Sequence, residues 1–436
     1  MEFFQAQSHG IMKEILIISY FYPPCTLTAA QRPAGWVKYF HEFGIYPIVL
    51  TRNWDLTLSK PEDQLRSSGS ELKIEKTAQS EIHYLPYKAS LRDRLFNSSN
   101  LFLKKSSKLF TFLNGIGENF SNVFIPFSNF YDYASELIAK RNVEVLIVSA
   151  NPFVQFRFGY LLQKKYSLSW VADYRDDWTT SEIVSPKSIL EKVLYLFQQR
   201  SEKKWVETTS LITSVSEVYT KRISDFIGRQ GATILNGYDE LYPLLSSSNT
   251  AEFTITYNGT LYSSQDVEGF IHSILQCIDH FRNQIFIRVQ FPGVCYDPIQ
   301  AKRILNLIEG NEQHFLLTDR IPKNEVIEMQ RHSDLLLMLT HIGTKGIPSS
   351  KLYEYLSIQK PVLCYPSDCD IVQATLEDVG IGIIVHDENE LMQVLKEFIN
   401  TKLFHQENKL RQSTTHLKAY SRYQQTVKFV KLLNQI

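Results

Sequence analysis

The sequence predicts an α/β protein built twice, with two Rossmann-like halves in tandem along one chain. Short, nearly continuous apolar runs recur, as expected of parallel strands covered on both faces. Each run is followed by a longer stretch with helical spacing. The alternation lapses near residues 240–252, in a stretch rich in Ser, Asn and Thr, and then starts afresh.

The first half opens with a strand over residues 14–20, Glu-Ile-Leu-Ile-Ile-Ser-Tyr. Met12 stands just before it, so residues 1–11 read as a loose extension. Phe21-Tyr22-Pro23-Pro24 breaks the strand, and a helix is expected over about 28–43, ended by Gly44. A second strand at 45–50 completes one βαβ unit. Further strands are expected at 143–149, 168–172 and 211–215, and Asn236-Gly237 marks a turn. Residues 244–250 read as a linker.

The second half resumes with a strand at 253–257, the loop Asn258-Gly259-Thr260-Leu261-Tyr262, and a helix over about 265–282. Strands follow at 285–291, 315–317, 335–339, 362–365 and 381–385, with helical stretches between them. Residues 423–436 are helical in pattern. The expected division is 12–240 and 253–410, with 411–436 returning to the first half.

Composition narrows the classes. The chain has 436 residues, 44% hydrophobic and 21% charged, the balance of a globular protein large enough for two or three domains. Lys+Arg and Asp+Glu are both 46, so no excess of positive charge points to nucleic acid. The five cysteines are scattered, and Cys364 and Cys369 lack the second pair a zinc site needs. Reduced, buried thiols are expected. No apolar run approaches the roughly 20 residues of a membrane span. The amino end lacks the basic and apolar regions of a signal peptide. A cytoplasmic protein is the expectation.

The most informative stretch is 346–366, Gly-Ile-Pro-Ser-Ser-Lys-Leu-Tyr-Glu-Tyr-Leu-Ser-Ile-Gln-Lys-Pro-Val-Leu-Cys-Tyr-Pro. It follows a buried strand. Pro348 ends the loop, and Ser349 or Ser350 is suited to cap the next helix. Lys351 and Glu354, three residues apart, share one face of that helix. A cation and a carboxylate are thus expected at the carboxyl end of a strand, where open α/β sheets bind nucleotides. A plain surface pair on an ordinary helix is the alternative.

This segment resembles the nucleotide-sugar signature of the retaining GT-B glycosyltransferases of the family 4 type. In those enzymes a Glu-x7-Glu pair contacts the donor. Glu354 matches the second Glu, whereas the first falls on Gly346. The Pro-Ser-Ser-Lys-Leu-Tyr-Glu-Tyr-Leu wording is similar to the subset that builds bacterial surface polysaccharides, such as capsule. The resemblance implies the GT-B fold: two Rossmann-like domains facing a cleft, the carboxyl-terminal helix crossing back to the first.

Other stretches take their expected roles from this resemblance. Asp173-Tyr174-Arg175-Asp176-Asp177-Trp178 follows a strand and resembles an Asp-x-Arg-Asp-x-Trp phrase of the amino-terminal domain. It implies that Asp173, Arg175 and Asp176 bind the acceptor or support catalysis. A structural Arg–Asp network is the alternative. The Asp173–Asp176 spacing is one position too long for the metal-binding Asp-x-Asp of GT-A enzymes, so no metal is expected.

Gly259 and Thr260 resemble the loop that approaches the donor diphosphate. The Arg and Lys common just beyond this Gly are absent. Lys351 is the expected substitute, ahead of Lys345 and Arg320. Residues 344–350, with Gly346, Ser349 and Ser350, are expected to turn backbone N–H groups toward phosphate. Glu354 would accept from ribose hydroxyls, a task suited to an acceptor-only group. Gln31 and Arg32, in the first βα loop, are placed for an acceptor or phosphate contact. His341 ends a strand and reads as a polar loop residue.

Residues 88–112 mix Lys88, Arg92, Arg94, Lys104, Lys105 and Lys108 with large apolar side chains. This reads as a peripheral membrane contact, or as a helical hairpin packed on the first domain. The expected partners are a nucleoside diphosphate sugar and a glycan or polyprenyl-linked acceptor, with no cofactor and no nucleic acid. The expected place is the cytoplasm, at the inner face of the cytoplasmic membrane if 88–112 docks there. Two other readings stay open: a nucleotide-sugar epimerase of the same fold, and an inactive GT-B-like scaffold.

Overall fold

A computed structural model describes residues 12–56, 58, 61–182, 186–245, 252–341, 343–347, 349–406 and 413–436. The expected extension 1–11, most of the linker 244–250, and Pro348 lie outside these. The described residues form two compact units. One runs through Leu235 and includes Gln425–Ile436; the other is Asn236–Gln424.

The first unit holds eight strands: β1 Lys13–Ser19, β2 Ile45–Arg52, β3 Lys73–Lys76, β4 Glu81–Leu85, β5 Val143–Ala150, β6 Ser169–Tyr174, β7 Leu211–Ser214 and β8 Gly231–Thr233. Their order is β3-β4-β2-β1-β5-β6-β7-β8. All pairs are parallel except β3 with β4. Leu16 and Ile18 face one apolar layer while Ile15 and Ile17 face the other, which is why β1 reads as an unbroken apolar run. The strand order reverses between β1 and β5. The carboxyl ends there edge the crevice in which a doubly wound sheet takes its ligand.

The stretch 62–129, where the family resemblance is weakest, contains β3, β4 and the helices Leu91–Phe96 and Leu101–Gly117. β4 escapes apolar periodicity because two of its buried residues are polar and mutually paired. His83 Nε2 lies 2.9 Å from Glu81 Oε1, and Arg141 Nη1 lies 3.2 Å from Glu81 Oε2.

The second unit holds β9 Glu252–Thr256, β10 Phe286–Phe291, β11 Phe315–Leu317, β12 Leu335–Leu339, β13 Val362–Tyr365 and β14 Gly382–Ile384. They form one parallel sheet in the order β11-β10-β9-β12-β13-β14. The order reverses between β9 and β12. The helix Val267–Phe281 covers one face with Phe270, Ile271, Ile274 and Cys277.

The division of the carboxyl-terminal region differs from the expected 411–436. Residues 413–424 stay with the second unit: Ser413 N–H donates to Val379 O at 2.8 Å, and Tyr420 OH to Asp378 Oδ2 at 2.9 Å. Only from Gln425 does the chain join the first unit, where Phe429, Val430 and Leu433 pack with Ile15, Ile17, Trp36 and Phe40. Among the described residues, no helix is long and apolar enough to cross a membrane.

Candidate functional site

In the second unit the switch between β9 and β12 gathers polar groups. After β9 the loop turns at Gly259, whose φ of +85° favours glycine. Gly259 N–H donates to Pro292 O at 2.9 Å, and a second glycine turn abuts it: a Cβ on Gly293 would lie 3.5 Å from Gly259 Cα. Beside this backbone lies Lys351, from the helix Ser350–Ile358 that follows β12. Lys351 Nζ donates to Tyr257 OH at 2.5 Å and to Thr260 O at 2.9 Å. It also sits 3.9 Å from the centre of the Tyr257 ring. Tyr257 is buried, and Gln265 Oε1 lies 3.0 Å from its hydroxyl. Gln265 Nε2 in turn donates to Leu339 O at 2.6 Å.

Among the described residues no carboxylate forms an ion pair with Lys351. Burial pushes its pKa down to about 7, against a smaller upward pull from Glu354. Lys351 is thus held by neutral oxygens and one aromatic ring, which leaves its charge uncompensated among the described residues.

Glu354, one turn further along, uses a single oxygen. Its Oε1 accepts from Asn258 Nδ2 at 2.7 Å and Gln330 Nε2 at 2.6 Å. Oε2 has no hydrogen-bond partner among the described residues. Tyr355 OH accepts Asn258 N–H at 3.0 Å. The helix therefore grips Asn258 twice and fixes the β9 loop against itself. Gln330 Oε1 is buried without a partner among the described residues.

The loop ahead of this helix differs from expectation in two respects. Ser349 occupies the N-cap position, yet its side chain makes no capping hydrogen bond. Gly346 N–H is taken by Asp370 Oδ2 at 2.5 Å, so this amide already has an anion. Of the other cations considered, Lys345 is exposed and Arg320 stacks on Tyr296 at 3.6 Å. His341 Nδ1 lies 2.7 Å from Ser264 Oγ; burial and the Lys351 charge both lower its pKa.

In the first unit the conspicuous feature is a buried ion pair. Arg32 Nη2 lies 2.7 Å from Asp173 Oδ1, and Arg32 Nε 3.1 Å from both carboxylate oxygens. Ser149 Oγ and Thr213 Oγ1 also donate to Asp173, at 2.7 and 2.8 Å. Arg32 Nη1 donates to Ile234 O at 2.5 Å. Asp173 has no exposed surface and Arg32 has 4%. The pair ties the end of β6 to β5, β7 and the helix Gln31–Phe40. Asp173 is thus a saturated carboxylate, not one held open to solvent. Gln31, next to Arg32 in sequence, is half-buried.

The turn after β6 is clamped from within by Glu202, which is fully buried. Glu202 accepts from Tyr174 OH at 3.0 Å, Thr179 N at 3.1 Å and Thr179 Oγ1 at 2.5 Å. Burial outweighs these donors and raises its pKa to about 7. Asp177 is held by Arg222 Nη1 at 3.0 Å. What the turn leaves outward is Asp176, exposed, and Arg175, half-buried, whose Nη2 lies 3.9 Å from Asp176 Oδ2.

No protein-family model and no curated protein sequence matches this chain. Solved structures do. Sucrose-phosphate synthase from Thermosynechococcus elongatus superposes with a TM-score of 0.63 at 14% identity, over 97% of this chain and 98% of that one. The UDP-forming α,α-trehalose-phosphate synthase from Burkholderia vietnamiensis gives 0.65 at 9% identity, over 98% and 100%. HepE from Anabaena, solved with UDP and glucose, gives 0.58 at 12% identity, over 97% and 100%.

The fold is GT-B. At these identities the likeness is one of fold.

Within this GT-B chain, the second unit brings together Gly259, Thr260, Lys351 and Glu354 of the residues singled out from sequence. The first brings together Arg32 and Asp173. Tyr257, Gln265, Gln330, Tyr355 and Glu202 were missed. Two had a readable signal. Gln330 continues the buried face of Val326 and Ile327, and Glu202 lies one turn before buried Trp205. A polar residue on an apolar helical face needs a buried partner.

Proposed function

We propose that this protein is a glycosyltransferase. It transfers a sugar from a nucleoside diphosphate sugar to a hydroxyl of a glycan or polyprenyl-linked glycan, with retention of configuration. The observation that carries the reading is Lys351, half-buried beside Gly259 on neutral partners, one helical turn from a carboxylate oxygen that has no hydrogen-bond partner among the described residues. Lys351 and the backbone N–H of Thr260, which the turn at Gly259 lets the ligand approach, take the diphosphate. Glu354 Oε2 accepts from the ribose hydroxyls while Oε1 is held by Asn258 and Gln330. The departing diphosphate, stabilised by Lys351, receives the proton of the attacking hydroxyl on the same face of the sugar.

The family 4 assignment rests on the phrase around Lys351 and Glu354, and the surface-polysaccharide assignment on the Pro-Ser-Ser-Lys-Leu-Tyr-Glu-Tyr-Leu wording. Where the motif has its first Glu, this chain has Gly346, and the Asp370 carboxylate reaches that backbone from the next loop. Asp370 supplies a negative charge there in its place. On the acceptor side, Arg175 and Asp176 contact substrate, and the Arg32–Asp173 pair positions the strand ends that carry them. UDP is the first nucleotide to test, since two of the solved structures above are described with it.

Calorimetric titration with UDP, GDP and ADP, beside Glu354→Ala, tests the reading. One nucleotide should bind, and the variant should lose most of that affinity. Absence of binding to any of the three would overturn the transferase reading. Turnover of a nucleotide sugar without acceptor would replace it with the epimerase.

A further inference from the structure

We propose that the helices Leu91–Phe96 and Leu101–Gly117, with the first half of Ile189–Val206, form a docking surface for an anionic lipid bilayer. The observation is independent of the transferase reading. More than half of the large hydrophobic side chains exposed among the described residues lie in residues 91–124 and 189–196. Phe102 is 76% exposed, Leu109 59%, Val123 86% and Ile189 80%. Such a concentration marks an interaction site.

The elements carrying these side chains touch. A Cβ on Gly115 would lie 2.8 Å from Leu194, and the Phe120 and Phe197 rings are 6.2 Å apart. Along Leu101–Gly117, Phe102, Leu109 and Leu113 recur at i, i+7 and i+11 and make an exposed stripe. Lys105 and Lys108 flank that stripe, Lys104 Nζ lies 5.2 Å from the centre of the Phe96 ring, and the helix contains no acidic residue.

Charge selects the occupant. The chain as a whole is neutral, so the positive character here is local. Over residues 88–124 and 187–197, eight basic residues stand against three acidic ones. Asp93 is fully buried and takes hydrogen bonds from Ser90, Tyr87 and Arg92. Burial pushes Glu118 up to about 7. Glu191 caps its own helix and stays ionised there, since those hydrogen bonds lower its pKa; it is one charge against Lys187 and Lys192 beside it. Protein interface cores are depleted of lysine, and a second copy would set this cationic patch against itself. A lipid surface suits both features: apolar tips enter the acyl boundary while lysines reach the phosphates.

The test is sedimentation of the full chain with phosphatidylcholine vesicles, with and without phosphatidylglycerol. Two variants accompany it: Lys104→Glu/Lys105→Glu/Lys108→Glu, and Phe102→Ser/Leu109→Ser. The chain should bind the anionic vesicles and bind phosphatidylcholine alone far more weakly. The charge reversal should weaken binding by roughly a hundredfold or more, the apolar variant by at least about tenfold. All these residues are surface-placed, and unchanged melting and nucleotide titration confirm intact units. No binding to anionic vesicles, or equal binding by both variants, overturns the proposal. So does sedimentation velocity showing a dimer that these substitutions dissolve, since the surface would then pair two copies. None of these outcomes touches the nucleotide titration, so failure here is separable from failure of the transferase reading.

Discussion

Raising the pH should weaken nucleotide binding, and Lys351 supplies both the sign and the size. In the free protein its ammonium rests on Tyr257 OH and Thr260 O, and burial has lowered its pKa from 10.5 to about 7. A diphosphate against Nζ favours the charged form and returns the pKa toward its ordinary value. Below pH 7 the amine is already charged and affinity is flat. Above it, binding must take up one proton, and affinity falls roughly tenfold per pH unit until the pKa of the complex is reached. Among neighbouring groups, the His341 pKa is lowered below 6.5 and those of Tyr257 and Tyr355 are raised above 10, so none titrates in this window. The free nucleotide's own phosphate has ionised by about pH 7. The assay is calorimetry at roughly pH 7 to 9 in two buffers of different ionisation enthalpy, which counts protons directly. Lys351→Arg, charged throughout, should show neither uptake nor slope. Equal affinity across the range in the unaltered protein, or the same slope in Lys351→Arg, would refute the reasoning.

Arg32→Met leaves the Asp173 carboxylate buried with only hydroxyl donors and should cost about 3–5 kcal/mol in urea unfolding; adding Asp173→Leu should recover much of it. A double variant no more stable than Arg32→Met would show that the pair is not the source of the cost. Glu202→Gln should alter how stability depends on pH. The folded Glu202 pKa of about 7 exceeds its ordinary 4.5, so its stabilisation is present at low pH and is lost as pH rises toward 7. The melting temperature of Glu202→Gln relative to the unaltered protein should therefore climb over that interval, and a fall would contradict the assignment. Asp370→Ala removes the carboxylate proposed to stand in for the first Glu and should weaken binding of the nucleotide sugar about tenfold, the worth of one charge-assisted hydrogen bond to the donor; calorimetry showing no change would remove Asp370 from the site.

How far the sequence reaches depends on the range of the interaction. β12 and β13 were legible to the residue because a strand covered on both faces has only apolar neighbours to report. Lys351 and Glu354 were legible because helical spacing places both on one face. The Arg32–Asp173 pair was not, since its partners are separated by 141 residues and nothing local in either stretch names the other. The same distance explains the misjudged state of Asp173: three carboxylates near a strand end look alike until Ser149 and Thr213 arrive from two other strands. β4 was lost because its polar side chains are buried in pairs, which breaks the alternation that reveals a strand.

The first unit is discontinuous, and this sets an order on its assembly. During synthesis the strands β1 to β8 are complete while Phe429, Val430 and Leu433 have yet to be made. The apolar layer formed by Ile15, Ile17, Trp36 and Phe40 therefore stays partly open while the whole of the second unit is translated. The second unit, continuous in sequence, can close first; the first waits for a segment delivered from beyond it. A fragment ending at Leu235 would carry the full sheet and still lack part of its core. Dissecting this protein into halves then calls for splicing Gln425–Ile436 back onto the first unit, for which a circular permutation is the natural route.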